Sequence, residues 1–428
     1  MLDPRLVRHE PETVREGLAA RGVEVDMETL TRLEAERREL IAESDRLKRE
    51  RNEASRRIAE RKKRGEDAAE AIEKTRAVAE AIKGLDAELD AVEERFRAFL
   101  VSLPNLPDPQ APVGSSEEEN VVRESWGEAP EFDFEPKEHV ELGESLGLID
   151  LEAAARLSGS GFALFIGDGA RLVRGLIAFM IDLHVAEHGY TEVWPPALVR
   201  PECMMGTGQL PKMEEDMYRV EGEGLYLIPT AEVPVTNIHR EQILDEEDLP
   251  ISYVAYTPCF RREAGAHGAE TRGLVRMHQF DKVEMVRFCR PEESPDQHQL
   301  LLGHARTVLE RLGLTYRVLE LCTGDLSFAA RRCYDLELWA PASERWLEVS
   351  SCSDFGDFQA RRAGIRYRRS GDEKVDHLHT LNASGVALPR LIVTLLETFQ
   401  TDEGTVRVPE VLQPYVGGLS VLKPARRG

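Results

Sequence analysis

From Met27 to Phe99 the chain contains no proline, and Gly65 and Gly84 are the only glycines in a stretch dominated by Glu, Arg, Lys and Ala. These residues lose little side-chain freedom in a helix, and nothing here interrupts the backbone ladder, so the stretch is committed to helix. In its second half Val78, Ile82, Leu85, Leu89, Val92, Phe96 and Phe99 follow one another at intervals of 4, 3, 4, 3, 4 and 3 residues, a coiled-coil seam. The first half carries a weaker stripe of Leu30, Leu33, Leu40, Leu47, Ala54 and Ile58, interrupted by Arg37, Ser44 and Arg51. A charged turn, RKKRGEDAAE, separates the halves with Gly65 at its centre. The pattern predicts two helices folded back as an antiparallel hairpin. At 1.5 Å per residue, a first helix of about 35 residues would reach roughly 50 Å from the body.

Formal charge over the 428 residues is −23, which argues against nucleic-acid binding until its distribution is examined. Residues 46 to 64 hold ten basic side chains, Arg46, Lys48, Arg49, Arg51, Arg56, Arg57, Arg61, Lys62, Lys63 and Arg64, against Glu50, Glu53 and Glu60. The segment is therefore +7, and the remainder of the chain −30. A charge run is most often a solvated helix face. Placed at the end of a helical hairpin, it suits an extended anionic partner, with a spacer or protein-docking coiled coil as the alternatives.

After Phe99 the composition changes. SLPNLPDPQAPVGSSEEEN, with four prolines and an acidic cluster, reads as an extended linker, and the domain boundary is expected at residues 110/111. Beyond it come a helical segment near Arg171–Glu187 and a final helix near Pro389–Phe399. The runs LYLIPTAEV, ISYVAYTPCFRRE, VRMHQFDKVEMVRFC, YRVLELC, CYDLELWAP and RWLEVSSCSD follow one another with few intervening helices. The expected class is α+β: a helical hairpin, then an antiparallel sheet flanked by helices. GSGFALFIGDGA reads as tight turns, and no phosphate-loop motif is present. Six scattered cysteines lack any C-x-x-C pair, so no zinc is expected. Neither a membrane span nor a secretion signal is apparent, and the expected location is cytoplasmic.

Arg261 and Glu263 lie two apart on an expected strand, presenting a cation and an acceptor together, as a nucleotide requires. Phe280, Lys282, Glu284 and Val286 share parity on the next strand, so an aromatic platform and a carboxylate for an ammonium group lie on one face. For any single pair the ordinary explanation is a half-buried sheet with surface ion pairs. The combination points to a nucleotide and an amine.

These residues fall within ordered motifs that resemble the bacterial-type seryl-tRNA synthetases over nearly the whole chain. EHGYTEVWPPALV, with Pro196, matches the first class II signature, and GTGQLPK follows at 206–212. Thr230-Ala231-Glu232 in IPTAEVP matches the serine loop. CFRREAGAHGAETRGLVRMHQFDKVEMV matches the second signature, and LNASGVALPRLIVTLLE, containing Arg390, the third. The resemblance implies that ATP is bound by Arg261, Arg262, Glu263, Met277, Phe280, Glu348, Val349, Ser350, Ser351 and Arg390, with Arg276 at the terminal phosphates. Arg261, Glu263, Arg276 and Arg390 would be the catalytic set, and Phe280 and Arg390 would sandwich the adenine. Serine would be taken by Thr230, Ala231, Glu232, Arg261, Glu284 and Ser384, and Mg²⁺ accompanying ATP by Glu348 and Ser351. The last two are three apart, so on a regular strand they would face opposite sides; a bulge or strand end is expected between them.

The implied partners are L-serine, tRNA(Ser) and also tRNA(Sec), held by the basic hairpin of one subunit of a homodimer whose other subunit charges the tRNA. Serine is favoured over related substrates because only about 38 residues follow Arg390, too few for an anticodon-reading domain. Departures from the family pattern lie at Arg262, Ala266-His267 and Ala387-Leu388-Pro389. They leave room for a carrier-loading paralogue or an inhibitor-tolerant isoform, and a coiled-coil adaptor with an inactive body is the non-enzyme alternative. The full-length basic hairpin counts against carrier loading.

Overall fold

The computed structural model describes residues 1–263, 273–371 and 374–424; of the positions singled out above, Ala266 and His267 lie outside them. The chain divides into two compact units, Met1–Leu106 and Pro107–Gly428, so the division falls four residues before the expected boundary.

In the first unit, two short helices, α1 (Pro4–His9) and α2 (Pro11–Ala19), precede α3 (Met27–Lys63) and α4 (Ala69–Ser102). Asp26 starts α3 by accepting a hydrogen bond from the Thr29 amide at 2.9 Å, satisfying one of the unpaired donors of the first turn. Gly65 supplies the left-handed turn residue, φ +73°, after which α4 returns. The two helices pack along the stripes read from sequence: Leu30, Leu33, Ile82, Val92 and Phe96 are buried. Two interruptions of the first stripe, Arg37 and Ser44, face α4 as polar contacts. Arg37 bonds Glu93 at 3.0 Å, and Ser44 donates to Asp86 at 2.9 Å.

The second unit is built on an eight-stranded sheet. Its strands are β1 (Val121–Trp126), β2 (Thr191–Glu192), β3 (Ile251–Phe260), β4 (Gln279–Cys289), β5 (Tyr316–Glu320), β6 (Arg332–Ala340), β7 (Arg345–Asp354) and β8 (His379–Ala387). The spatial order is β1-β5-β6-β7-β8-β4-β3-β2, antiparallel except for the β2–β3 edge pair, which is parallel. The helices of this unit are α5 (His139–Ser145), α6 (Leu151–Ser158), α7 (Asp168–Ala186), α8 (Pro201–Thr207), α9 (Glu232–Thr236), α10 (Ser294–Leu312), α11 (Phe358–Ala363) and α12 (Leu388–Thr398). Leu172 and Leu176 of α7, Leu301 and Leu309 of α10, and Leu391 and Leu395 of α12 join Val283, Met285, Leu336 and Val349 of the sheet in the principal core.

Several expectations need correction. LYLIPTAEV is strand only at Leu225–Leu227, because Glu232 opens α9. The 19-residue α10 lies between two runs read as neighbouring strands; Leu301, Leu302, Ala305, Val308, Leu309 and Leu312 give it a buried helical stripe. The Pro-rich segment is extended but not a free linker. The amides of Asp108, Thr323 and Gly324 donate to the carbonyls of Arg331, Pro112 and Gly114, fixing it along residues 323–331. Among the described residues no helix is long and apolar enough to cross a membrane, and the six cysteines are unpaired.

Candidate active site

Strands β4, β7 and β8, the ends of α8, α9 and α12, and the segments between them surround a cleft of ≈ 820 Å³ in the second unit. On β4 the alternation expected from sequence holds: Val283 and Met285 enter the principal core, while Phe280, Lys282 and Glu284 line the cleft. Val286, the fourth residue of that parity, instead packs with Ala231, Ala255 and Phe288 in a smaller core.

Arg261 and Glu263 both reach the cleft, but not as strand residues: β3 ends at Phe260, and Glu263 adopts φ +47°. A non-glycine residue in this region is held there by its surroundings. Arg261 is anchored by its amide, which donates to the His278 carbonyl at 2.9 Å, and by Nε, 3.3 Å from the Pro229 carbonyl. Its guanidinium lies 5.2 Å from the Phe280 ring centroid, a cation–π contact. Glu263 Oε2 is 3.5 Å from Arg276 Nη1.

Two bulges shape the opposite wall. In the β6–β7 ladder Leu336 pairs with Ser350 and Glu337 with Glu348, so Val349 is the extra residue. That insertion reverses the alternation, and Glu348 and Ser351 both line the cleft although they are three apart. In the β8–β4 ladder Ser384 pairs with Glu284 and Val386 with Val283, leaving Gly385 unpaired. A Cβ at Gly385 would stand 2.8 Å from His184 Nε2, so glycine is required for the close approach. The Ser350 hydroxyl donates to the Ser384 carbonyl at 2.6 Å and ties the two bulged strands together. Arg390, in the first turn of α12, donates to the carbonyls of Val275 at 3.1 Å and Glu348 at 2.8 Å.

The deepest part of the cleft carries two buried carboxylates. Glu284 Oε1 accepts from Asn382 Nδ2 at 2.8 Å, and Oε2 lies 2.7 Å from Lys282 Nζ. Lys282 Nζ also donates to Thr230 Oγ1 at 2.8 Å. Glu232 Oε1 accepts from Gln359 Nε2 at 2.6 Å. Burial and the nearby Glu284 carboxylate raise the Glu232 carboxyl to about 7, against the opposing pull of the Gln359 hydrogen bond and of Lys282 and Arg261.

Of the residues singled out by sequence, Thr230, Glu232, Arg261, Glu263, Arg276, Met277, Phe280, Glu284, Glu348, Val349, Ser351, Ser384 and Arg390 line this one cleft. Ala231 is buried in the smaller core, Ser350 is buried beneath the wall, and Arg262 is exposed, donating to the Glu215 carbonyl at 3.0 Å. Lys282, Asn382 and Gln359 were not assigned to the site. Parity with Phe280 and Glu284 marks Lys282, whereas Gln359 arrives on α11 with no sequence signal.

Residues 216–399 match the family model of the tRNA synthetase class II core domain (G, H, P, S and T), and residues 1–107 that of the seryl-tRNA synthetase N-terminal domain. The sheet and its cleft are thus those of a class II aminoacyl-tRNA synthetase. Serine–tRNA ligase of Geobacter sp. (strain M21) is 53% identical over 418 residues, covering 98% of this chain and 99% of the relative. The structure of seryl-tRNA synthetase from Pyrococcus horikoshii complexed with ATP superposes with TM-score 0.91 at 38% identity, covering 100% of both chains. Cytoplasmic serine–tRNA ligase from Naegleria fowleri in complex with AMP gives 0.86 at 29%, covering 100% of this chain and 99% of that one. The chain belongs to the seryl-tRNA synthetase family.

Proposed function

We propose the following division of labour for this serine–tRNA ligase. The cleft binds ATP and L-serine, and the helical hairpin binds tRNA(Ser) and also tRNA(Sec). The observation that carries the first half is the convergence of Arg261, Arg276 and Arg390 with the buried pair Glu232 and Glu284 in one cleft. Arginines suit the phosphates, and buried carboxylates suit the ammonium and hydroxyl of serine. Phe280 and Arg390 enclose the adenine, Glu263 reads its amino group, and Thr230 and Ser384 complete the amino-acid pocket.

The serine carboxylate attacks the α-phosphorus in line, and pyrophosphate leaves from the opposite side. The anhydride is retained until the terminal ribose hydroxyl of tRNA attacks its carbonyl and AMP departs. Little covalent chemistry falls to the protein, so positioning and charge stabilisation by Arg261 and Arg276 supply most of the catalysis.

Glu348 and Ser351 fit Mg²⁺: the Val349 bulge turns two oxygen donors into the cleft. Among the described residues no group of three or more His, Cys, Asp or Glu is arranged to hold a metal. Nucleotide phosphates and water would therefore complete the coordination, as is usual for this ion. When bound it supplies charge neutralisation at the phosphates.

The hairpin reading is supported by pairing at its basic end. Arg46 bonds Glu43 and Glu50, and Lys48 bonds Asp86, but among the described residues no carboxylate lies within 4.0 Å of Arg49, Arg56, Lys62, Lys63 or Arg64. Unsatisfied cations on a solvated helix suit phosphates. Trp194, which lies in the first signature and is 75% exposed, offers apolar surface to a second copy of the chain, in keeping with a homodimer.

Serine-dependent exchange of pyrophosphate into ATP tests the pocket. Glu284→Gln is expected to raise the serine KM at least a hundredfold, losing about 3 kcal/mol of charge-assisted binding, while leaving the affinity for ATP within threefold. Lost nucleotide binding with intact serine binding would reverse the assignment.

A further inference from the structure

Lys282 is a lysine almost closed off from solvent inside the pocket assigned above to the amino acid, with its side chain 7% exposed. An ammonium group has three donors and no acceptor. Two of the acceptors it has found are Glu284 Oε2 at 2.7 Å and Thr230 Oγ1 at 2.8 Å. A substrate ammonium has the same shape, charge and donor count, and it needs the same acceptors. We propose that Lys282 holds the place that the ammonium group of the substrate requires, and that an incoming α-amino acid displaces it from Glu284 and Thr230. The inference rests on the reading of this pocket as the serine site.

The displaced cation has one carboxylate to turn to. Glu232 is fully buried and is faced by Glu284 and Lys282 from β4, by Arg261 beyond the end of β3, and by Gln359 from α11. The thiol of Cys259 on β3 lies beside Lys282 and Arg261, and burial pushes it up and keeps it neutral. Burial, reinforced by the Glu284 carboxylate, outweighs the opposing pull of Gln359, Lys282 and Arg261, and that balance brings the Glu232 carboxyl to about 7 and leaves it partly protonated at neutral pH. A second ammonium tips it, because a nearby opposite charge favours the ionised carboxylate. Binding of serine then releases a proton from Glu232. The release is about half a proton per site at pH 7, grows as pH falls, and vanishes well above 7. Serine affinity rises with pH up to about 7, levels off beyond it, and falls again only where serine's own ammonium deprotonates. Lys282 thereby acts as a specificity gate: a ligand without a charged amine cannot replace it.

Calorimetric titration of the full chain with L-serine, in the presence of a non-hydrolysable ATP analogue and in two buffers of different ionisation enthalpy, reads the proton count directly. The wild type is expected to release protons at pH 6.5 and almost none at pH 8.0, where serine's own amine is still protonated, and glycerate, the analogue without the amine, to release none at either pH. Glu232→Gln should abolish the release. Lys282→Met, which removes the competing cation, should bind serine at least threefold tighter at pH 8.0 with unchanged affinity for the ATP analogue. Serine binding without proton release at pH 6.5 overturns the inference, as does a folded Lys282→Met that binds serine no tighter than wild type. Should that variant not fold, the wild-type and Glu232→Gln titrations decide alone. A wild type that binds no serine contradicts the pocket assignment itself, a distinct result.

Discussion

Arg261 is oriented before any substrate arrives: backbone carbonyls hold its amide and Nε, and the Phe280 ring lies under its guanidinium. If Arg261 meets the α-phosphate as proposed, a cation fixed in this way needs no reorganisation as charge develops there, which is where such donors contribute most. Arg261→Ala is expected to slow serine-dependent pyrophosphate exchange by about 10²–10³-fold, equivalent to roughly 3–4 kcal/mol, without loss of thermal stability. Near-normal exchange would remove Arg261 from the reaction. The sequence placed Arg261 and Glu263 together through strand alternation, but the strand stops at Phe260 and the backbone of Glu263 turns left-handed. Their side chains meet in the cleft for a reason that two-residue spacing does not contain.

At the level of elements, the three-residue interval between Glu348 and Ser351 did announce an irregularity. The Val349 bulge is where the β6–β7 register accommodates it. The helical hairpin was equally legible, because a 3–4 stripe without proline leaves a chain no other regular structure. Strands β3 to β7 were legible as runs, whereas β1, β2 and β8 and the helices α9, α10 and α11 were not. Short helices such as α9 and α11 are held by tertiary contacts rather than propensity, whereas α10 carries a helical stripe of its own from Leu301 to Leu312. Helix α12, which presents Arg390, is anchored by the buried Glu397. Its Oε1 faces the His139 amide and Nδ1, each at 3.2 Å, and Oε2 accepts from the amides of Ala342 and Ser343. Burial pushes the Glu397 carboxyl up, but hydrogen bonds from His139 and Ser343 outweigh it and hold the group below its ordinary value. A lowered carboxylate contributes stability above its unfolded value and loses it as pH falls through the folded one. Glu397→Gln should therefore cost about 1–3 kcal/mol at pH 7, read by urea unfolding, and the deficit should shrink below pH 4. A deficit independent of pH would show that charge plays no part.

At the scale of the whole molecule, a strongly acidic chain carries a +7 run at the end of the hairpin, and among the described residues those lining the cleft all belong to the second unit. Serine codons fall into two unrelated boxes, so serine tRNAs share no anticodon for one domain to read, and a hairpin gripping another part of the tRNA answers that problem. Reversing Arg56, Arg57, Lys62 and Lys63 to glutamate should raise the tRNA KM and flatten the salt dependence of binding. About five to seven phosphate contacts would give a log–log slope near −4 to −6 in the wild type. The proposed division assigns amino-acid activation to the second unit and tRNA capture to the first. Its most direct test is the protein lacking residues 35–95, assayed side by side for serine-dependent pyrophosphate exchange and for aminoacylation of tRNA(Ser). Retained exchange with aminoacylation lowered by at least a hundredfold is the predicted result. A parallel loss of both activities, or the survival of both, would contradict it.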